Sequence, residues 1–124
     1  MNDKKTIAII EDDDSIRQMY EYKLISAGYN VLTASDGSAG YKLIIKNKPD
    51  LVLLDLKLPK MSGDEVLEKL RNTDVGERIK VIIITNMSKD EMPHSLRLLN
   101  VERSIVKAQH TPNQVLDIID EVLA

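Results

Sequence analysis

Leu51-Val52-Leu53-Leu54-Asp55-Leu56-Lys57-Leu58-Pro59-Lys60-Met61-Ser62-Gly63 is the stretch that decides the fold. It opens with four apolar residues that do not alternate with polar ones. A strand with one wet face alternates, whereas a continuous run suggests a strand covered on both faces, as in a parallel sheet flanked by helices. The run stops at a carboxylate, and Pro59 and Gly63 then punctuate a turn-forming segment. Two more runs have the same character, Ile7-Ala8-Ile9-Ile10 and Val81-Ile82-Ile83-Ile84. Val31-Leu32 and Ile105-Val106 are weaker and complete a set of five.

Helical patterns fill the intervals. Ile16, Met19, Tyr20, Leu24 and Ala27 share one helical face after Asp13-Asp14, which supplies a cap, and Gly28 suits the left-handed residue beyond the helix end. Ser38 to Lys46 carries Tyr41, Ile44 and Ile45 between the Asp36-Gly37 turn and Pro49. Val66, Leu67 and Leu70 mark a third helix after Gly63. Leu96, Leu98 and Leu99 suggest a fourth that ends at Asn100. The fifth has the clearest start: Thr111 as cap, Pro112 at the first helical position and Gln114 completing a capping box, with Val115, Ile118, Ile119 and Val122 as its stripe. Strand and helix thus alternate five times. The expected fold is an α/β flavodoxin-like (βα)5 doubly wound sandwich, with a parallel sheet in the order 2-1-3-4-5 and right-handed crossovers.

Residues 1–124 fit one domain of ordinary size, long enough to stand on its own hydrophobic core. Hydrophobic residues at 43% and charged residues at 30% give a globular balance. Without cysteine there are no disulfides and no thiolate metal sites. The net charge of −3, with four tyrosines and neither Phe nor Trp, argues against direct nucleic-acid binding by this domain. No apolar run approaches the roughly 18 residues of a membrane span. The stretch Met1 to Asp14 lacks the pattern of a signal peptide, which makes the cytoplasm the expected location.

In a sheet of this order, ligands bind beyond the carboxyl ends of the strands, where strands 1 and 3 diverge. Glu11, Asp12, Asp13 and Asp14 follow the first run, Asp55 the third, Thr85 the fourth and Lys107 the fifth. Singly, each has an ordinary explanation: helix-capping acids, a turn Asp, a β-branched strand end, a solvated lysine. Their collection at one rim is harder to explain that way. Asp13 and Asp14 suit the capping role, while Glu11, Asp12 and Asp55 crowded together call for a cation. Oxygen donors without His or Cys select a hard ion such as Mg²⁺. A carboxylate can also attack phosphorus to form an aspartyl phosphate, with a metal, an ammonium and a hydroxyl sharing the charge of the transferred group.

These motifs resemble the receiver domain of two-component response regulators, the CheY-like family. The resemblance runs from Lys5 to Leu123. It is carried by Ile9-Ile10-Glu11-Asp12-Asp13, by the Asp-x-x-x-Pro-x-x-x-Gly spacing of Asp55, Pro59 and Gly63, by Ile84-Thr85 and by Val106-Lys107. It implies that Asp55 is the phosphoacceptor and that Thr85 and Lys107 are the switch hydroxyl and its companion lysine. Mg²⁺ would be held by Asp12, Asp55 and the backbone carbonyl of Lys57, with Glu11 acting through water. The phosphoryl donor would be a sensor histidine kinase, a phosphotransfer protein or a small molecule such as acetyl phosphate. The domain would be no enzyme beyond its own phosphorylation and dephosphorylation.

The chain departs from the family pattern at four places. Ser104 stands where the family usually has a Tyr or Phe that rotates inward, so atypical output coupling is expected. Asn86 replaces a small residue after the switch Thr, which would narrow access to Asp55. Ala108 replaces a cis proline after the lysine, so a trans peptide or a rearranged loop is expected. Asn100 replaces a glycine. Other classes fit less well. A Mg²⁺-dependent Asp phosphatase wants a second Asp where Lys57 stands, and a flavin or nucleotide binder wants a Gly-rich phosphate loop where four acids stand. A degenerate receiver that only binds a partner is a weaker alternative because the phosphorylation residues are all present. His94 and His110 lack a second His at ligand spacing, and Met87 and Met92 read as packing residues.

Overall fold

A computed structural model describes residues 4–124. The first three residues of the expected domain, with the start of the N-terminal stretch read as lacking a signal peptide, lie outside the described residues. The elements are β1 (Thr6–Ile10), α1 (Asp14–Ser26), β2 (Asn30–Ala34), α2 (Gly37–Asn47), β3 (Leu51–Leu54), α3 (Gly63–Arg71), β4 (Lys80–Thr85), β5 (Arg103–Val106) and α4 (Pro112–Leu123). The five strands form one parallel sheet in the order β2-β1-β3-β4-β5, as the sequence pattern predicts.

The continuous apolar runs are explained by two cores, one on each sheet face. Ile7 and Ile9, Leu51 and Leu53, and Ile82 and Ile84 pack with Tyr20 and Leu24 of α1 and with Val115 and Ile119 of α4. Ala8 and Ile10, Val52 and Leu54, and Val81 and Ile83 pack with Ile44 of α2 and with Val66, Leu67 and Leu70 of α3. Each fully buried Leu, Ile or Val contributes roughly 1.5–3 kcal/mol of apolar transfer. This explains why the central strands carry polar residues only at their ends. At the edge, β2 is only half-buried throughout, which is why its apolar signal is weak.

Caps form at Asp13 and Thr111, where the sequence places them, and Asp36, read from the sequence as a turn residue, also caps a helix. The Asp13 side chain accepts from Ile16 N–H at 2.9 Å, and Asp36 accepts from Ala39 N–H at 2.7 Å. The Thr111–Gln114 capping box is complete. Gly28 takes φ +98°, and Asn100 takes φ 57°.

The expected fourth helix is not an α-helix. His94–Leu98 forms a short 3₁₀ turn between Pro93 and the left-handed Asn100. Only Leu96 of its leucines is buried, whereas Leu98 is 88% exposed. Leu96 enters the core with Met92 and Leu99 packed against it, while Leu98 faces away; Pro93 and the left-handed Asn100 bracket the segment and leave room for little more than one turn. The end of this segment is held by Arg71, whose guanidinium donates to the carbonyls of Gly76, Ile79, Leu99 and Asn100 at 2.7–2.9 Å. Burial pulls the Arg71 pKa below its ordinary value. No cis peptide occurs among the described residues, so the Lys107–Ala108 bond is trans, and Lys107–Gln109 forms a further 3₁₀ turn.

Candidate functional site

Strand register builds the site. Ile10 pairs with Leu54, so the next residues, Glu11 and Asp55, emerge side by side at the carboxyl edge of the sheet. The pairing continues into them, with Asp55 N–H donating to the Ile10 carbonyl at 3.1 Å. Thr85 and Val106 are paired at the ends of β4 and β5, which brings Lys107 to the same edge. Glu11, Asp55 and Thr85 are buried, and Asp12 is exposed at the mouth.

The loop after β3 closes the site from one side. Gly63 N–H donates to the Leu56 carbonyl at 2.9 Å, and a Cβ on Gly63 would stand 2.1 Å from the Asp55 carbonyl oxygen. Only glycine fits that approach, which gives the spacing from Asp55 to Gly63 a steric reason. Lys60 turns the loop with φ 68°.

The carboxylates of Glu11, Asp12 and Asp55 each offer an oxygen within 4.8 Å of the others. They share a cavity of about 480 Å³ with Lys57, Thr85, Asn86 and Lys107. The Lys107 ammonium donates to Asp55 Oδ2 at 3.0 Å and also to Glu11. Asp55 Oδ1 accepts from Lys57 N–H at 3.3 Å, and Glu11 Oε2 accepts from Asp13 N–H at 3.1 Å. Thr85 Oγ1 accepts from Met87 N–H at 3.3 Å, which ties the hydroxyl to the segment that follows β4.

Burial raises the Glu11 pKa above the ordinary carboxylate value and the Asp55 charge adds to this, against the lowering hydrogen bonds from Lys107 and Asp13 N–H. Burial alone would lower the Lys107 pKa, but its hydrogen bonds to Glu11 and Asp55 outweigh that and hold it above its usual value. A charged lysine therefore neutralises an acidic pocket from within. Burial also raises the Tyr20 pKa, with Lys107 lowering it and Glu11 raising it, which places the phenol within the same electrostatic field.

All the residues anticipated at this rim converge here: Glu11, Asp12, Asp55, Lys57, Thr85 and Lys107 line one cavity. Asn86 lines it too. Sequence reasoning missed Arg17, which donates to the Glu11 carbonyl at 2.9 Å and pairs with Asp14. Its position one turn beyond Asp13 and Asp14 was the available signal. Ser104 is half-buried in β5, opposite Ile83, and lines a different cavity.

Three oxygen donors and no nitrogen or sulfur suit a hard cation. Two oxygens in one Mg²⁺ shell lie at most about 4.2 Å apart, given bonds of about 2.1 Å. Oxygens within 4.8 Å of one another are close enough for the three carboxylates to share one hydrated ion.

The response regulator receiver domain model matches residues 7–120. Sporulation initiation phosphotransferase F of Bacillus subtilis is 37% identical over 92 residues, 74% of this chain and 71% of that protein. The alkaline phosphatase synthesis transcriptional regulatory protein of the same organism is 39% identical over 87 residues, 70% of this chain and 35% of that protein. The chain spans about a third of the length of such transcriptional regulators. Among solved structures, a CheY-like receiver domain protein from Methanospirillum hungatei is 31% identical with a TM-score of 0.86, covering 97% of this chain and 94% of that one. Chemotaxis protein CheY4 of Vibrio cholerae is 25% identical with a TM-score of 0.87, covering 96% and 98%. With the fold, the rim residues and the match over nearly its whole length in agreement, the chain belongs to the response regulator receiver domain family of two-component systems.

Proposed function

We propose that Asp55 of this receiver domain accepts a phosphoryl group from a sensor histidine kinase or phosphotransfer protein in a Mg²⁺-dependent reaction, and that Thr85 and Lys107 pass the change to a partner-binding surface. The observation that supports this most directly is the convergence of Asp55, Lys107 and two further carboxylates in one cavity at the carboxyl edge of the sheet. A bound Mg²⁺, held by Asp12, Asp55 and the Lys57 carbonyl with Glu11 through water, would offset the charge of the phosphoryl oxygens. An Asp55 carboxylate oxygen attacks phosphorus, the P–N bond of the donor phosphohistidine breaks, and its electron pair returns to the imidazole. Transfer of this kind depends on positioning and charge stabilisation. The Lys107 ammonium, already beside Asp55, moves onto a phosphoryl oxygen, and the Thr85 hydroxyl donates to another.

The domain acts on itself and turns over no separate substrate. Hydrolysis of the acyl phosphate returns Asp55, and Asn86 on the cavity wall slows access of both donor and water. With Ser104 in β5 instead of a large aromatic, output leaves by a different route. Thr85 is hydrogen-bonded to Met87 N–H, so its movement shifts the segment from Asn86 to Leu98. Among the described residues no helix is long and apolar enough to cross a membrane. We place the domain in the cytoplasm, with its kinase.

Intact mass after incubation with acetyl phosphate and Mg²⁺ tests the reading. One phosphoryl unit should be gained, lost again at alkaline pH, and absent from Asp55→Asn. Equal labelling of that variant refutes the assignment.

A further inference from the structure

Arg17 is bonded to each acid that follows β1 except one. Its guanidinium donates to the Glu11 carbonyl at 2.9 Å and to Asp14 Oδ1 at 2.5 Å, and its backbone N–H donates to the Asp13 carbonyl at 2.9 Å. The exception is Asp12, in the middle of the run. The Asp12 side chain has no hydrogen bond or ion pair of its own among the described residues, so its direction is set by the backbone on either side. It nevertheless lines the cavity and brings an oxygen within 4.8 Å of those of Glu11 and Asp55.

The place of Arg17 needs a reason, because a cation in the first turn of a helix opposes the helix dipole. The pair with Asp14 does not supply it: Asp14 is 78% exposed, and exposed pairs contribute little. The buried contact is the one to Glu11. The Arg17 side chain is only 15% exposed, and Glu11 is buried. Glu11 stands one residue past β1. Its N–H still pairs with the Ala34 carbonyl, but its own carbonyl receives no backbone donor among the described residues. A buried carbonyl in that position must find a partner. Arg17 provides it and so fixes the plane of the Glu11–Asp12 peptide, while Asp13 N–H, donating to Glu11 Oε2, holds the other side of the turn.

We propose that Arg17 is a positioning residue for metal binding: by holding the turn on both sides of Asp12, it keeps that carboxylate facing the cavity it shares with Asp55. The inference rests on the reading of Asp12 as a ligand of Mg²⁺. Charge alone predicts the opposite effect. Arg17 is a cation beside an acidic pocket, so removing it makes the pocket more negative and favours a second cation. Weaker Mg²⁺ binding without Arg17 therefore reports lost positioning.

The test is calorimetric titration of the unphosphorylated chain with MgCl₂, with denaturant unfolding as a check that each variant is folded. Arg17→Met should lower Mg²⁺ affinity about threefold to tenfold. Arg17→Lys, whose ammonium can still donate to the Glu11 carbonyl, should recover most of that loss. In an Asp12→Ala background, Arg17→Met should change the remaining affinity by less than about twofold, because a residue that acts through Asp12 has nothing left to position. If Arg17→Met does not fold, Arg17→Gln, uncharged and too short to span both acceptors, replaces it in each arm. The inference is overturned if the folded variant binds Mg²⁺ as tightly as the parent or more tightly, or if the loss is equally large without Asp12. Parental binding in Asp12→Ala itself would instead remove the ligand on which the inference rests, and the two failures are told apart by that single variant.

Discussion

Lys107 Nζ stands 3.0 Å from Asp55 Oδ2 while also donating to Glu11, so one ammonium serves two buried carboxylates that arrive from different strands. Its side chain is only 13% exposed, which means the three charges are held with little help from water. Such an arrangement is costly to break from one side, because the carboxylates left behind are unpaired in a medium of low polarity. Lys107→Met should therefore destabilise the metal-free protein by about 3 kcal/mol. Mg²⁺ should restore more stability to this variant than to the parent, since a ligand that binds only the folded state stabilises it by mass action. Thermal unfolding with and without Mg²⁺ reads both effects. A variant whose midpoint matches the parent in both conditions would show that Lys107 is not the counter-charge of this pocket.

Asp12 differs from Glu11 in having an exposed side chain at the cavity mouth. It can meet an incoming hydrated ion without first giving up a protein partner, whereas Glu11 is committed to Lys107 and Asp13 N–H. Asp12→Ala is thus expected to weaken Mg²⁺ binding by about tenfold or more, with little loss of stability in the absence of metal. Titration calorimetry and denaturant unfolding separate these two outcomes. Equal Mg²⁺ affinity in the variant would remove Asp12 from the ligand set.

The sheet and most of the rim could be read from the sequence for one physical reason. A strand buried on both faces must be apolar throughout, so the first polar residue after Ile10, Leu54 or Ile84 marks where the sheet ends. In a parallel sheet those ends lie at the same edge: register sets Glu11 beside Asp55, and Thr85 follows Ile84, the residue level with Asp55. The helix starts at Asp13 and Thr111 were legible because a cap is a local bond within three residues. The 3₁₀ turn was not, because Leu96, Leu98 and Leu99 record apolarity without saying which of them finds a neighbour. Arg71 was also invisible, since its acceptors are backbone carbonyls up to 29 residues away and carry no side-chain signature. The double attachment of Lys107 depends on three strand ends meeting, which no local pattern encodes.

Gly63 gives a steric test of the loop over Asp55. A methyl group at this position would stand 2.1 Å from the Asp55 carbonyl and 2.8 Å from Leu56 Cα, both backbone atoms that cannot swing aside. The loop from Leu56 to Ser62 must then lift, and it carries Lys57 N–H away from Asp55 Oδ1. Gly63→Ala is expected to cost about 1–3 kcal/mol and to slow phosphorylation by acetyl phosphate. Denaturant unfolding gives the first quantity and the rate of mass gain the second. Full stability together with parental labelling would mean that the close approach at Gly63 does not hold the site.

Tyr29 provides a pH test away from the acidic pocket. Its hydroxyl donates to Asp120 of α4, joining the turn after α1 to the last helix. Burial, then the hydrogen bond to Asp120 and its negative charge, push the phenol up to about 12 from an ordinary value of 10. The folded state thus holds this proton more tightly than the unfolded state does. The stabilisation is complete below pH 10 and is lost as pH rises through 12. Because the ring is only partly buried, solvent screening limits the contribution to a few tenths of a kcal/mol, on the order of an exposed pair. Tyr29→Phe should lower stability slightly at neutral pH and flatten the decline between pH 10 and 12 that Lys107, also held above its usual pKa, continues to drive. Unfolding curves of parent and variant across this range, with tyrosinate absorbance followed in parallel, measure the difference. If the two proteins lose stability in parallel above pH 10, the Tyr29–Asp120 bond contributes nothing to holding α4 in place.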